Sequence, residues 1–157
     1  MKSFSIKNCW LWIIFTELVG VFSGLLSKDG FENFSNVAVK SPLMPPSWLF
    51  PVVWTILYGL MGIGICITAQ SATADRRHRS INLYLTQVLI NFFGPVLFFN
   101  AQAYGFALVW LVLLWVLVFW MTILFARSSP SAARLQIPYL LWLTFAIYLN
   151  TMVWILN

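Results

Sequence analysis

Two stretches of the sequence carry large aromatic rings at helical spacing beside prolines. In the first, Pro45 and Pro46 lead into an uncharged segment that holds Trp54 and, four residues later, Tyr58. Residues four apart lie on one face of a helix, so the two rings would point the same way. A rigid proline segment above such a pair could form the rim and floor of a pocket for a flat hydrophobic ligand.

The second stretch lies near the C-terminus. Trp142, Ala146 and Leu149 are spaced four and three residues apart, so a large ring would lie beside a small side chain that leaves room next to it. The alternative is ordinary membrane packing, with Trp48 at the level of the headgroups and Trp54 between helices. The recurrence of the pattern in two stretches favours the pocket.

Three polar side chains inside apolar segments are candidates for a functional role. Gln87 and Asn91 are four residues apart, and Pro95 follows one turn later. Both amides are expected to point inward, where they could bond neighbouring helices or contact a ligand. Glu17 is also expected to face the bundle interior, an interface or water, with functional and structural roles both open.

No set of residues suggests ordinary catalysis or a metal site. The sequence offers no acid/base pair, no nucleophile with a base and no metal-ligand spacing. The single histidine, His78, lies beside three arginines and is expected to be a solvated loop residue. Cys9 and Cys66 are isolated, and we expect them to be small unpaired apolar side chains. We therefore expect ligand binding without a metal or cofactor.

The composition determines what must position these side chains. The chain has 157 residues, of which 61% are hydrophobic and 8% charged. Such a chain would expose apolar surface on every side in water, so we predict an all-α integral membrane protein. A span needs roughly 20 residues, and the charge-poor runs predict a single five-helix domain. The predicted spans are residues 8–27, 46–71, 80–99, 103–126 and 132–154, with an outer loop at 28–47.

The basic residues predict the orientation. All but two of the nine lysines and arginines fall on one side of a five-span topology, and only Lys28 and Lys40 fall on the other. The positive-inside rule then places the N-terminus in the cytoplasm and the C-terminus outside. Orientation and contact with anionic lipids account for the net charge of +5, so no nucleic acid is expected. We expect a multi-pass protein of a bacterial inner membrane.

The two aromatic, proline-bearing stretches described first resemble motifs of the TspO/MBR family, the translocator or tryptophan-rich sensory proteins. The residues that carry the resemblance are Pro45, Pro46, Trp48, Pro51, Trp54, Tyr58, Pro138, Tyr139, Trp142, Phe145, Ala146, Leu149 and Asn150. The resemblance implies a five-helix bundle, often a homodimer, with a pocket between the helices closed by the first loop. Family members bind porphyrins such as protoporphyrin IX, and some bind sterols.

The resemblance also implies which residues contact the ligand. The implied pocket residues are Trp54, Asn91, Pro95, Phe106, Val109, Leu113, Trp142, Ala146 and Leu149, with Pro45, Pro46 and Trp48 in the lid. Many relatives have tryptophan where Leu43 and Phe106 stand. The sterol pattern needs a basic residue after Tyr148, and none follows, which argues against sterol binding.

Two functions of different class follow. The first is a receptor or transporter-like protein for tetrapyrroles, with Trp54 and Trp142 stacked on the macrocycle, Asn91 at its polar edge and a sensory or regulatory role. The second is a light- and oxygen-dependent porphyrin-degrading enzyme that uses Trp54 and Trp142, as some bacterial members are reported to do. An inert bundle is disfavoured, because it has no evident use for the long proline-bearing loop.

Overall fold

The computed structural model describes residues 9–157. Residue 8 of the first predicted span lies outside the described residues, as do Lys2 and Lys7, two of the nine basic residues that predict the orientation. The described chain is helical and has no strand, which confirms the predicted fold class. Its helices are α1 (Cys9–Leu26), α2 (Lys28–Val37), α3 (Leu49–Ser71), α4 (Ala74–Pro95), a π-helix (Val96–Asn100), α5 (Tyr104–Ala126), α6 (Pro130–Arg134) and α7 (Ile137–Leu156).

Five segments are long and apolar enough to cross a membrane, as predicted. They are Cys9–Leu26, Leu49–Ser71, Ala74–Asn100, Tyr104–Ala126 and Pro130–Leu156. Many large apolar side chains on them are exposed, including Leu11, Phe22 and Trp120. In a bilayer such side chains face lipid, so their exposure carries no penalty.

The charged run around His78 is helical and is not the predicted loop. Thr73 has an extended backbone, and α4 begins directly after it at Ala74. Asp75 lies in the first turn, where the helix dipole favours an acid, and its carboxylate pairs with Arg79 at 3.2 Å. The third span therefore begins with a polar turn that precedes the apolar run starting at residue 80.

The predicted outer loop contains a helix. The lid segment, residues 28–48, consists of α2 and the irregular chain that follows it. Phe31 and Phe34 are three residues apart on α2 and contact the Phe99 ring at centroid distances of 5.1 and 5.3 Å. Gly30 has no side chain, so α2 can approach the backbone of Asn100. The lid segment is thereby packed on the end of the third span.

Pro95 ends the α-helical part of that span without stopping the chain's helical path. Five residues of π-helix follow it, and Asn100 then donates a hydrogen bond to the Leu26 carbonyl at 2.7 Å. Proline lacks a backbone N–H donor and its ring crowds the preceding turn, so Pro95 accounts for the change from α-helix to π-helix at this point.

The bundle core lies among α3, α4, α5 and α7. The largest fully buried side chains include Met61, Tyr84, Met121, Phe125 and Tyr139. Indole N–H groups bond between helices as well: Trp110 donates to the Ile90 carbonyl at 2.8 Å, and Trp115 donates to Thr144 at 2.9 Å.

Cys9 and Cys66 form a disulfide, so the prediction that they are unpaired is wrong. Their Cα atoms are 5.3 Å apart although 57 positions separate them in the sequence. Helices α1 and α3 run antiparallel, and Gly62 lets the backbone of Ile13 approach closely. The first residue of α1 therefore meets the last third of α3, which the isolated spacing of the cysteines did not reveal.

Candidate ligand-binding site

A cavity of about 490 Å³ lies between the spanning helices beneath the lid segment. Its wall combines residues of α1, α3, α4, α5 and α7 with residues of the lid segment, and it is mostly apolar. Sites for small organic ligands commonly occupy about 300–1,000 Å³ and have apolar walls with a few polar groups. The cavity has the size and the lining of such a site.

Trp54 and Trp142 both line this cavity. The Trp54 ring lies 5.5 Å from the Tyr58 ring at an interplanar angle of 30°, and 6.2 Å from the Tyr139 ring. The Trp142 ring meets Phe50 edge to face at 5.8 Å. The structure therefore brings the two aromatic stretches to one cavity and holds each indole against a neighbouring ring.

Other implied site residues are divided between the cavity wall and the outer surface. Those at the cavity are Pro45, Asn91, Pro95, Ala146 and Leu149. Those placed outside its lining are Pro46, Trp48, Phe106, Val109 and Leu113.

The expected face of α5 is displaced by about one residue. Phe106 and Val109 are 57% and 67% exposed, whereas Ala107, Trp110, Leu111 and Leu114 line the cavity. The two faces have the same three-and-four spacing, and α5 is apolar all round, so periodicity does not distinguish them.

The amide of Asn91 belongs to a buried hydrogen-bond chain between helices. Tyr58 donates to Asn91 Oδ1 at 3.1 Å, and Asn91 Nδ2 donates to the Tyr139 hydroxyl at 2.5 Å. Tyr139 in turn donates to Gln87 Oε1 at 3.0 Å. Of the two roles left open for Gln87 and Asn91, these contacts support bonding between helices, while Asn91 also borders the cavity.

Glu17 borders the cavity from α1. A Cβ atom added to Gly59 would lie 3.4 Å from the Glu17 carboxylate, which places this group against α3. Its exposure to the cavity agrees with the expectation that an ionisable group within a span faces the interior.

Several polar residues that were not among the implied contacts line the cavity toward the lid segment, and three of them carry an amine or an amide. Lys28 begins α2, Lys40 lies in the chain after it, and Asn150 projects from α7. Asn150 is 5% exposed, and its Oδ1 has no hydrogen-bond partner. Asn150 appears in the second motif, but only the three-dimensional contacts reveal its unsatisfied oxygen.

The lid segment is fastened to α7. The Val39 N–H donates to Asn157 Oδ1 at 3.1 Å, and Asn157 Nδ2 donates to the Val39 carbonyl at 2.9 Å. Ser41 and Tyr148 share a hydrogen bond of 3.2 Å between their hydroxyls. The lid segment is therefore held to the C-terminal end of α7 by a few hydrogen bonds that are exposed or half-buried.

Within residues 9–157, no group of three or more His, Cys, Asp or Glu side chains is arranged to hold a metal ion. The chemistry that the described cavity offers is apolar contact, ring stacking and a small number of polar contacts.

Comparisons with known proteins agree with the sequence motifs. The sequence model of the TspO/MBR family matches residues 12–155. The translocator protein of Sus scrofa is 34% identical over 152 residues, covering 92% of this chain and 89% of that protein. The translocator protein of Homo sapiens is 37% identical over 140 residues, covering 87% and 82%. The tryptophan-rich protein TspO of Chlorobaculum tepidum is also 37% identical over 140 residues, covering 88% and 89%.

Proposed function

Because the chain belongs to the TspO/MBR family, we propose that it is a membrane receptor or transporter-like protein that binds tetrapyrroles such as protoporphyrin IX between its helices. The observation that carries the proposal is the position of Trp54 and Trp142 on one lidded apolar cavity. A planar macrocycle offers each indole a face for stacking. The names of the relatives mention translocation, and a sensory or regulatory role is part of the proposal.

Titration of the purified protein with protoporphyrin IX tests this function. Binding should quench tryptophan fluorescence in a saturable way, and Trp142→Ala should weaken binding by about tenfold, since an aromatic contact is worth about 0.5–1.5 kcal/mol beyond its buried area. Trp120→Ala is the matched control, because Trp120 is 62% exposed and lies away from the cavity. Equal losses in the two variants, or no saturable quenching at all, would argue against this site.

A second candidate function is light- and oxygen-dependent porphyrin degradation, in which the pigment absorbs light and dioxygen is the oxidant. It is favoured by the contacts of the Trp54 ring with the rings of Tyr58 and Tyr139. The hydroxyl groups of these two tyrosines both hydrogen-bond Asn91. Such a cluster could exchange electrons with a bound pigment. Illuminated complexes of the wild type should bleach faster than free pigment, and Trp54→Phe should slow that loss. Bleaching at the free-pigment rate in both proteins removes this candidate.

We also propose the orientation with the N-terminus in the cytoplasm of a bacterial inner membrane. Arg76 donates to the Arg127 carbonyl at 2.8 Å, so the two arginine-bearing turns lie at one end of the bundle. Lys28 and Lys40 lie at the other end, in the lid segment. A C-terminal alkaline phosphatase fusion should be active, and a C-terminal fluorescent-protein fusion dark. We also propose that the chain forms a homodimer, as the family resemblance implies, and cross-linking in membranes tests this.

A further inference from the structure

Helix α1 is attached to the bundle by few buried side chains. It buries three of its 18 residues, whereas α3 buries eight of its 23. The three are Cys9, Thr16 and Ser23. Thr16 shares a hydrogen bond with the Tyr84 hydroxyl of α4, and Ser23 donates to the Phe92 carbonyl of α4 at 2.7 Å. The third buried residue is therefore a substantial part of what holds α1 in place.

That third residue is joined to α3 by the disulfide. Cys9 is the first residue of α1, and Cys66 lies five residues before α3 ends at Ser71. α4 begins three residues after Ser71, and Arg76 in its first turn donates to the Arg127 carbonyl. The disulfide therefore lies in the half of the bundle that carries these arginines, which the proposed orientation places toward the cytoplasm.

A disulfide toward the cytoplasm is exposed to cellular reductants. Disulfides are rare in cytosolic proteins, and those that do form are usually catalytic or redox-sensing. Both cysteines are buried, so exchange requires local opening. Helix ends fray, which gives a small thiol access to a bond at Cys9. Gln70 donates to Cys66 Sγ at 3.0 Å, and this donor stabilises the thiolate that forms when the bond breaks.

The ligand cavity lies toward the other end of the bundle, and α1 reaches both. Three residues from the second half of α1 line the cavity, namely Glu17, Gly20 and Gly24. A Cβ atom at Gly62 of α3 would lie 2.7 Å from the Ile13 Cα atom. One at Gly20 would overlap the ring of Tyr58, which itself lines the cavity. Because the two helices are in such close contact, a displacement at the start of α1 changes the cavity wall.

We propose that the Cys9–Cys66 pair is a redox-active site through which the thiol state of the cytoplasm controls ligand binding. With the disulfide formed, α1 is held in the position that completes the cavity wall. With the disulfide reduced, its noncovalent contacts alone hold it. This inference rests on the proposed function and orientation, and it adds regulation to the same site.

The reductant is a cytoplasmic dithiol. One of its thiolates attacks a sulfur of the disulfide, which forms a mixed disulfide with one cysteine and releases the other as a thiol. Its second thiolate then displaces the remaining cysteine, and the reductant leaves as its own disulfide. Both cysteines end as thiols, having received two electrons and two protons. Oxidation of the pair reverses these steps.

Reduction should weaken ligand binding. A tethered α1 has fewer conformations to lose when the ligand orders the cavity wall, so the oxidised protein should bind more tightly. Couplings between two sites are typically about fivefold to 150-fold. We expect about fivefold here, because the noncovalent contacts of α1 remain. By linkage, a bound ligand must oppose reduction by the same factor, which for two electrons shifts the reduction potential by about 20 mV to a more negative value.

Titration of the oxidised and the reduced wild type with protoporphyrin IX tests the inference. The work is done in the dark, so that the pigment does not oxidise thiols. Alkylation of free thiols, read as a mass shift, verifies each redox state, and circular dichroism verifies that both states are folded. The reduced protein should bind about fivefold more weakly. Cys66→Ser, the matched control, should bind like the reduced wild type and should not respond to dithiothreitol.

Two further measurements separate a redox site from a purely structural disulfide. Equilibration with mixtures of reduced and oxidised dithiothreitol should give a reduction potential about 20 mV more negative when protoporphyrin IX is bound. Gln70→Leu removes the donor to Cys66 Sγ and should slow reduction about tenfold, while the oxidised variant binds protoporphyrin IX as the wild type does. An unchanged rate would contradict the role assigned to Gln70.

Equal affinities of the verified oxidised and reduced proteins would overturn the inference. Thiols that stay open to alkylation after oxidation would also overturn it, as would a potential too negative for cytoplasmic thiols to reduce the pair. In each case the proposed function still stands if protoporphyrin IX binds and Trp142→Ala weakens that binding. Failure of both redox states to bind the pigment would remove the proposed function itself, so the two failures are distinguishable.

Discussion

Gly24 offers a way to fill the cavity without disturbing the helices around it. A Cβ atom at Gly24 would meet nothing within 4 Å, and the residue borders the cavity from α1. One turn earlier, a Cβ atom at Gly20 would collide with the ring of Tyr58. These two glycines, four residues apart on α1, therefore have different roles: Gly20 permits close packing, and Gly24 borders open space.

Leucine at Gly24 should reduce ligand binding and leave folding intact. Truncating a leucine to alanine opens a cavity of about 150 Å³ in a well-packed protein, so a leucine side chain added at Gly24 would occupy on the order of a third of the 490 Å³ cavity or slightly more. Overpacking costs about 1–3 kcal/mol, which corresponds to affinity for protoporphyrin IX about fivefold to 150-fold weaker. Replacing a helical glycine should meanwhile stabilise the protein by about 0.5–1 kcal/mol.

Fluorescence titration and thermal denaturation followed by circular dichroism measure the two effects on the same samples. Gly24→Leu should lose affinity with an equal or higher thermal midpoint. Gly20→Ala, the matched control on α1, should lower the midpoint because its methyl group displaces the Tyr58 ring. If Gly24→Leu binds protoporphyrin IX as tightly as the wild type, the ligand does not occupy this part of the cavity, and the assignment of the site is refuted.

Three other outcomes are expected. Cys66→Ser, or treatment with reductant, should lower the thermal midpoint. In the chain-entropy description, a disulfide that closes a loop of 57 positions contributes about 4 kcal/mol to the free energy of unfolding. An unchanged midpoint would show that the thiols are unpaired. Tyr139→Phe should cost about 1–3 kcal/mol in thermal unfolding, because it leaves buried polar groups of Asn91 and Gln87 without this partner, and wild-type stability would contradict that reasoning. Asn157→Ala removes both bonds to Val39, so stopped-flow association and dissociation should each accelerate by about twofold to tenfold per lost bond. Unaltered rates would mean that the lid segment does not limit entry.

The membrane fold and the meeting of the two aromatic stretches could be inferred from the sequence because their causes are local. Long apolar runs specify spans, and the spacing of Trp142 and Ala146 specifies a shared face. The face of α5 could not be chosen in this way, since Phe106 and Ala107 begin equally apolar faces of a uniformly apolar helix.

Other features depend on which segments become neighbours. The cysteine pair results from the antiparallel register of α1 and α3, which spacing along the chain does not encode. The helix in the lid segment is short and polar, and its stability comes from Phe34 packing on Phe98 and Phe99. The unsatisfied oxygen of Asn150 is visible only when all surrounding donors are known.

The wide helical turn after Pro95 has a consequence for how this region can vary. A π-helix uses more residues for each turn than an α-helix, so the rings after Pro95 are rotated relative to a regular continuation. In that rotated register Phe98 and Phe99 both reach Phe34. Deleting one residue from positions 96–100 would rotate Phe98 and Phe99 away from Phe34 and so remove ring contacts that support the lid segment. The number of residues in this turn therefore matters for the packing of the lid segment in addition to the identity of Phe98 and Phe99.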